Sequence, residues 1–125
     1  MRVSDIAAVL GAEMLAGRSG LIRDVPSAGG CDIISDLLFF GKPGMLLLTG
    51  LTQLSVVRTA HLLDLSGIVF VRGKRPDEGA IELAESLGLP LLVSPLSLYD
   101  CCGRLYARGL PGVIPGAPHL PAECA

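Results

Sequence analysis

At 125 residues with a formal net charge of −2, the chain suits one domain with its own core. That charge gives no reason to expect nucleic acid, whose binding rests on clustered Lys and Arg. Half of the residues are hydrophobic and only 18% are charged, against a typical share of about 25%, so a second copy or a partner protein is expected to cover part of the surface.

"MRVSDIAAVLGAEM" carries one Arg and the acids Asp5 and Glu13, which makes it a poor signal peptide and a good first helix. With Ser4 as N-cap and Gly11 just past the end, a helix is predicted over residues 1–11. "AEMLAG" and "LIRDVPSAGG" read as a pair of short strands around an Arg18-Ser19-Gly20 turn. In "CDIISDLLFFGKPG", Ile33, Ile34, Leu37 and Leu38 fit a helical face that Gly41 to Gly44 closes.

From Met45 the pattern is plainer. "MLLLT" is a buried strand, Thr52 a cap for a helix facing inward through Val56, Val57, Ala60 and Leu63, and "IVFV" the next strand. "PDEGAIELAESLG" is a helix with acids in its first turn and Gly88 at its end; "LLV" is a third strand, and Ser94-Pro95 opens a last helix through Leu105. Apolar strands alternating with amphipathic helices predict a parallel sheet with right-handed crossovers. The longest apolar stretches, such as Met45 to Leu48, are far too short to span a bilayer, and a cytoplasmic location is expected. The end of the chain holds four of the nine prolines and no apolar periodicity, so residues 1–107 are taken as the domain and 108–125 as a tail adding little to the core.

Ligands of open parallel sheets collect outside the carboxyl ends of the strands, near helix N-termini. Three such ends are defined here. They offer Thr49, Gly50 and Thr52; then Arg72, Gly73 and Lys74; then Ser94 and Ser97. Glycine permits close backbone approach, hydroxyls give hydrogen bonds, and the cations suit phosphate or carboxylate. The opposing reading is that every α/β domain has turns built from these residues.

No P-loop is present: Arg75 stands where Ser or Thr must ligate magnesium, and no G-x-G-x-x-G follows a strand. Asp32 and Asp36 lie four apart, but no His, third acid or nucleophile accompanies them; Asp32 reads as a helix cap. His61 falls mid-helix and His119 in the tail, and Tyr99 and Tyr106 read as packing at a helix edge. The four cysteines form no C-x-x-C pair and read as small buried residues. Neither catalytic residues, metal ligands nor a cofactor are assigned.

The order of elements and three phrases resemble the DRTGG domain family: "VSDIAAVLGAEMLAG", "GMLLLTG" and "LSGIVFVRGKRPDEGAIELAESLGLPLLVSPLSLYDCCGRLY". The resemblance covers about residues 1–107 and is most specific from Gly73 to Pro95, where Lys74-Arg75 lengthen the turn before Pro76. It implies a three-layer α/β/α fold with a mixed, mostly parallel sheet, similar to the N-terminal domain of HPr kinase/phosphorylase. It also implies a regulatory role, since such domains occur alone or attached to phosphotransacetylases, cobyrinic-acid-synthase-like proteins and CBS-containing pyrophosphatases. The sequence departs from the name-giving pattern. Leu51-Thr52 stand where Asp-Arg is expected, and of Thr-Gly-Gly only Gly73 remains, between Arg72 and Lys74.

The resulting expectation is a non-enzymatic regulatory or ligand-sensing module, acting as a homodimer or docked on a partner protein. Its ligand would be an anionic small molecule, a nucleotide or phosphorylated metabolite, at the strand ends. The alternative is a structural assembly factor with no small-molecule ligand, associated through the resemblance with iron–sulfur hydrogenase-type systems.

Overall fold

The structure, a computed structural model, describes residues 1–113. Its elements are α1 (Val3–Leu10), β1 (Glu13–Ala16), β2 (Ala28–Gly30), α2 (Ile34–Phe40), β3 (Leu46–Thr49), α3 (Leu54–Leu62), β4 (Gly67–Phe70), α4 (Glu78–Leu87), β5 (Leu91–Val93) and α5 (Leu98–Ala107). The five strands form one sheet in the order β1-β5-β4-β3-β2. β2 to β5 are parallel to their neighbours, and β1 runs antiparallel on β5.

The predicted central strands stand adjacent and parallel, and the reason is visible in their side chains. Every residue of β3, β4 and β5 is buried, so both faces of each strand need apolar cover. Leu47, Ile68, Phe70, Leu91 and Val93 meet Leu37 of α2, Val56, Val57 and Ala60 of α3, and Ala80 and Ala84 of α4. The alternate residues Leu46, Leu48, Val69 and Leu92 pack with Val3, Ile6 and Leu10 of α1 and with Cys101 and Leu105 of α5. Helices on both faces of a mixed sheet give three layers, α/β/α.

Between Ala16 and Ala28 the structure corrects the expected strand pair. β1 and β2 do not pair with each other; they occupy opposite edges of the sheet. Arg18–Gly20 is a 3-10 turn rather than a hairpin loop. What holds that turn is close approach to the end of α4: Gly17 has φ 74°, and a Cβ there would lie 2.3 Å from the Leu89 carbonyl. Gly17 N–H also donates to Glu85 Oε2 at 3.0 Å.

Three helix starts differ from expectation. Arg2 rather than Ser4 precedes α1, and Asp5 accepts its N–H at 2.8 Å. α3 begins after Gln53 rather than Thr52. α5 begins after Ser97, whose hydroxyl accepts the Asp100 N–H, so Ser94 is not the cap. In α2 only Leu37 is buried; Ile33 and Leu38 are exposed, and Phe39 is 92% exposed.

Leu110 is buried against the α1/α5 layer, so the expectation that residues after 108 add little to the core does not hold for Leu110. The Pro111 carbonyl accepts the Ala28 N–H at 3.0 Å, on the outer edge of β2. From residue 114 the expected tail, with His119, lies outside the described residues.

Candidate ligand site at the strand carboxyl ends

Thr49 ends β3 with its side chain buried. Its hydroxyl donates to Asp32 Oδ1 at 3.1 Å and accepts the Leu51 N–H at 3.1 Å. Gly50 N–H donates to the same Asp32 oxygen at 2.7 Å. Asp32 is not the helix cap that its sequence position suggests: Ile33 precedes α2, and the carboxylate reaches across to the next strand's loop instead. It thus occupies the directional donors at the end of β3.

The loop after β4 is set by its backbone. Arg72 has φ 56° and Gly73 φ 67°, two successive left-handed residues. A β-turn geometry of this kind suits glycine and is costly for arginine. Three hydrogen bonds hold it: Arg72 N–H to the Leu96 carbonyl at 2.8 Å, Gly73 N–H to the Ser94 carbonyl at 2.8 Å, and Lys74 N–H to the Val71 carbonyl at 3.1 Å. These amides are therefore committed within the protein, and what the loop presents to solvent is side chains. Arg72, Lys74 and Arg75 are all exposed. Arg75 lies 3.5 Å from Glu13, whereas Arg72 and Lys74 make no ion pair among the described residues.

Lys74 comes back to β3. A Cβ built on Gly50 would stand 3.5 and 3.8 Å from the two Asp32 oxygens and 3.8 Å from Lys74 Nζ. The structure thus brings Thr49, Gly50 and Lys74 together and adds Asp32 to them.

Ser94 and Ser97 stand apart from this group by chemistry. The fully buried Ser94 hydroxyl donates to the Leu10 carbonyl at 2.7 Å, tying β5 to the end of α1. The Ser97 hydroxyl caps α5 and donates to Asp100 Oδ2 at 3.1 Å. Thr52 contributes its carbonyl, which accepts the Asp77 N–H at 3.0 Å and fixes the start of α4 against that of α3.

Beside β2 runs an apolar groove of about 360 Å³, walled by Ala28, Gly30, Leu48, Tyr99, Cys102 and Tyr106 among others. Gly30 lets α5 pack close against β2 there: a Cβ on it would meet Cys102 Sγ at 3.0 Å and Leu98 Cδ1 at 3.1 Å. Burial pushes the Cys101 and Cys102 thiols above their ordinary range, against a weaker opposing effect of the hydrogen bond between Cys101 and Ser94. They are neutral at pH 7 and poor nucleophiles. Among the described residues no three His, Cys, Asp or Glu side chains gather as metal ligands, and no helix is long and apolar enough to cross a membrane.

No protein-family model matches the chain, and no curated protein matches it. Among solved structures it is similar to the CBS and DRTGG domains of the regulatory region of Clostridium perfringens pyrophosphatase, a crystal structure complexed with the activator diadenosine tetraphosphate. The TM-score is 0.69 at 19% sequence identity, over 86% of this chain and 46% of that one. The chain has a DRTGG-like fold. It spans about half the length of that regulatory region. Both departures from the DRTGG pattern fall at this sheet edge: Leu51-Thr52 follow β3 and Arg72-Gly73-Lys74 follow β4. The carboxylate beside the loop after β3 is that of Asp32, after β2.

Sequence reasoning missed Asp32 as a member of this group. The available signal was its place directly after Gly29-Gly30-Cys31, which reads as a strand end once β2 is taken as parallel to β3.

Proposed function

We propose that the chain is a regulatory module binding a nucleotide or another phosphorylated metabolite at the carboxyl ends of β3 and β4. The observation that carries this reading is Arg72. A long cationic side chain occupies a left-handed backbone position where glycine would be unstrained; it is exposed and makes no ion pair among the described residues, and the Lys74 ammonium of the same loop lies beside Gly50. Backbone strain at the carboxyl ends of the strands supports a functional reading of the loop. The DRTGG-like fold supports the regulatory part, since the similar structure is a regulatory region and its activator is a polyphosphate dinucleotide. That region also holds CBS domains, so the activator supplies a class of ligand to test.

The same reading has the module act through another protein surface. α2 supplies one, with Ile33, Leu38 and Phe39 exposed on a single short helix and its start. A second copy of the chain is the occupant we assign to it, in keeping with the low charge content.

Calorimetry with ATP and with diadenosine tetraphosphate, on the wild type and on Arg72→Ala/Lys74→Ala, tests the ligand site. A charge-assisted contact is worth about 1.5–3 kcal/mol, so losing both cations should weaken binding by roughly tenfold or more. Equal affinity in the two proteins would remove this loop from the site. Absence of binding to the wild type would sink the nucleotide reading.

A further inference from the structure

The carboxylate of Asp32 stands where a bare anion would be expected to sit. Its Oδ1 takes both donors at the end of β3, Gly50 N–H at 2.7 Å and the Thr49 hydroxyl at 3.1 Å. Its Oδ2 makes no hydrogen bond among the described residues. Both oxygens and Lys74 Nζ lie within 4 Å of one point, the position of a Cβ on Gly50, yet carboxylate and ammonium do not form an ion pair with each other. One small spot is thus bordered by an acceptor with spare capacity and by a cation. Like charge makes such a spot poor for a phosphate alone. A hydroxyl suits it, because it donates to Asp32 while the phosphate of the same ligand meets the Lys74 ammonium. Carboxylates at strand ends accept from ribose hydroxyls on the same physical grounds in doubly wound folds.

We infer that the spot over Gly50 selects phosphorylated ligands carrying a free sugar hydroxyl, with Asp32 as the hydroxyl acceptor, and discriminates against inorganic polyphosphate. This rests on the ligand-site reading above and adds a rule for specificity that the reading does not contain. Gly50 is part of the device. Its φ is not left-handed, and an added methyl would make only ordinary contacts of 3.5–3.8 Å, so the glycine is not demanded by the fold. It keeps the spot open.

The test is calorimetry of ATP, 2′,3′-dideoxy-ATP and inorganic tripolyphosphate against wild type, Asp32→Asn and Gly50→Ala, with melting temperatures recorded for each protein. In the wild type ATP should bind at least tenfold tighter than either analogue, because each lacks the hydroxyl donor. Asp32→Asn should narrow the preference over tripolyphosphate by removing the repulsion. Gly50→Ala should melt within a few degrees of wild type and bind ATP at least tenfold more weakly. Tripolyphosphate or the dideoxynucleotide binding as tightly as ATP would overturn the hydroxyl rule while leaving the anion site standing. Unchanged ATP affinity in Gly50→Ala would overturn it too, and this variant keeps the fold in hand should Asp32→Asn loosen the loop. Failure of all three compounds to bind would overturn both readings together.

Discussion

Arg72 concentrates two opposing demands in one residue. Its backbone amide is bonded to Leu96 and its φ of 56° is closed to most side chains at low cost, so stability alone would place glycine there. Arg72→Gly should therefore raise the unfolding free energy, by about 0.5–1 kcal/mol once glycine's greater unfolded-state entropy is subtracted. It should lower ligand affinity in the same protein. A urea titration checks the first part, and an unchanged or lower midpoint would show that the loop is not strained. The cysteines give the second prediction at this scale. Burial disfavours the Cys101 and Cys102 thiolates, so both thiols hold their protons to higher pH in the folded chain than in the unfolded one. Below the ordinary thiol value of about 9 the two states bind equally and the stabilisation is complete. As pH rises past it, the unfolded chain ionises first and stability falls. Urea midpoints at pH 7 and pH 10 should show a larger loss in wild type than in Cys101→Ala/Cys102→Ala, and equal losses would contradict the burial argument.

Among elements, α2 is the odd one. Its seven residues bury only Leu37, while Phe39 and Leu38 face outward. A solitary exposed leucine needs no explanation, but a phenylalanine at 92% exposure next to it does. Light scattering on wild type and on Leu38→Ser/Phe39→Ser should report self-association at micromolar concentration in the first and less in the second. A monomer in both cases would leave the helix face to a different protein. The variant should lose little stability, since neither side chain leaves the core.

How far the elements were legible follows from where their information resides. β3, β4 and β5 could be read because strands buried on both faces must be apolar throughout, as Leu46 to Leu48 and Ile68 to Phe70 are. β2 is Ala-Gly-Gly, and its glycines serve contacts with Phe40, Met45 and α5 that no local pattern announces. The caps after β3 and β5 differ from expectation because α3 starts one residue later, after Gln53, with the Thr52 carbonyl turned to the Asp77 N–H, and because the Ser94 hydroxyl is used on the distant Leu10 carbonyl. Asp32 was missed for the same reason: its partners lie in the loop of another strand.

At the scale of the whole molecule, the residues past α5 act as part of the fold through Val113, which packs against the core. Leu110 is 6% exposed, and burying a leucine is worth about 1.5–3 kcal/mol. The Pro111 carbonyl meanwhile satisfies an amide on the outer edge of β2. Truncation after Arg108 should thus lower the melting temperature by several degrees, as differential scanning calorimetry would show. An unchanged transition would mean that the edge and the α1/α5 layer close without this segment.

The edge positions of β1 and β2 have a consequence for the order of synthesis. A ribosome delivers the outer strand β1 before any neighbour it will pair with, because that neighbour, β5, is the last strand to emerge. Val3, Ile6 and Leu10 likewise wait for Cys101 and Leu105, the residues of α5 that cover them. The sheet can only be closed once nearly all of the described chain has left the exit tunnel. Until then a nascent chain carries an unpaired strand and an uncovered apolar helix, which are the features that chaperones bind and that drive aggregation of incomplete chains.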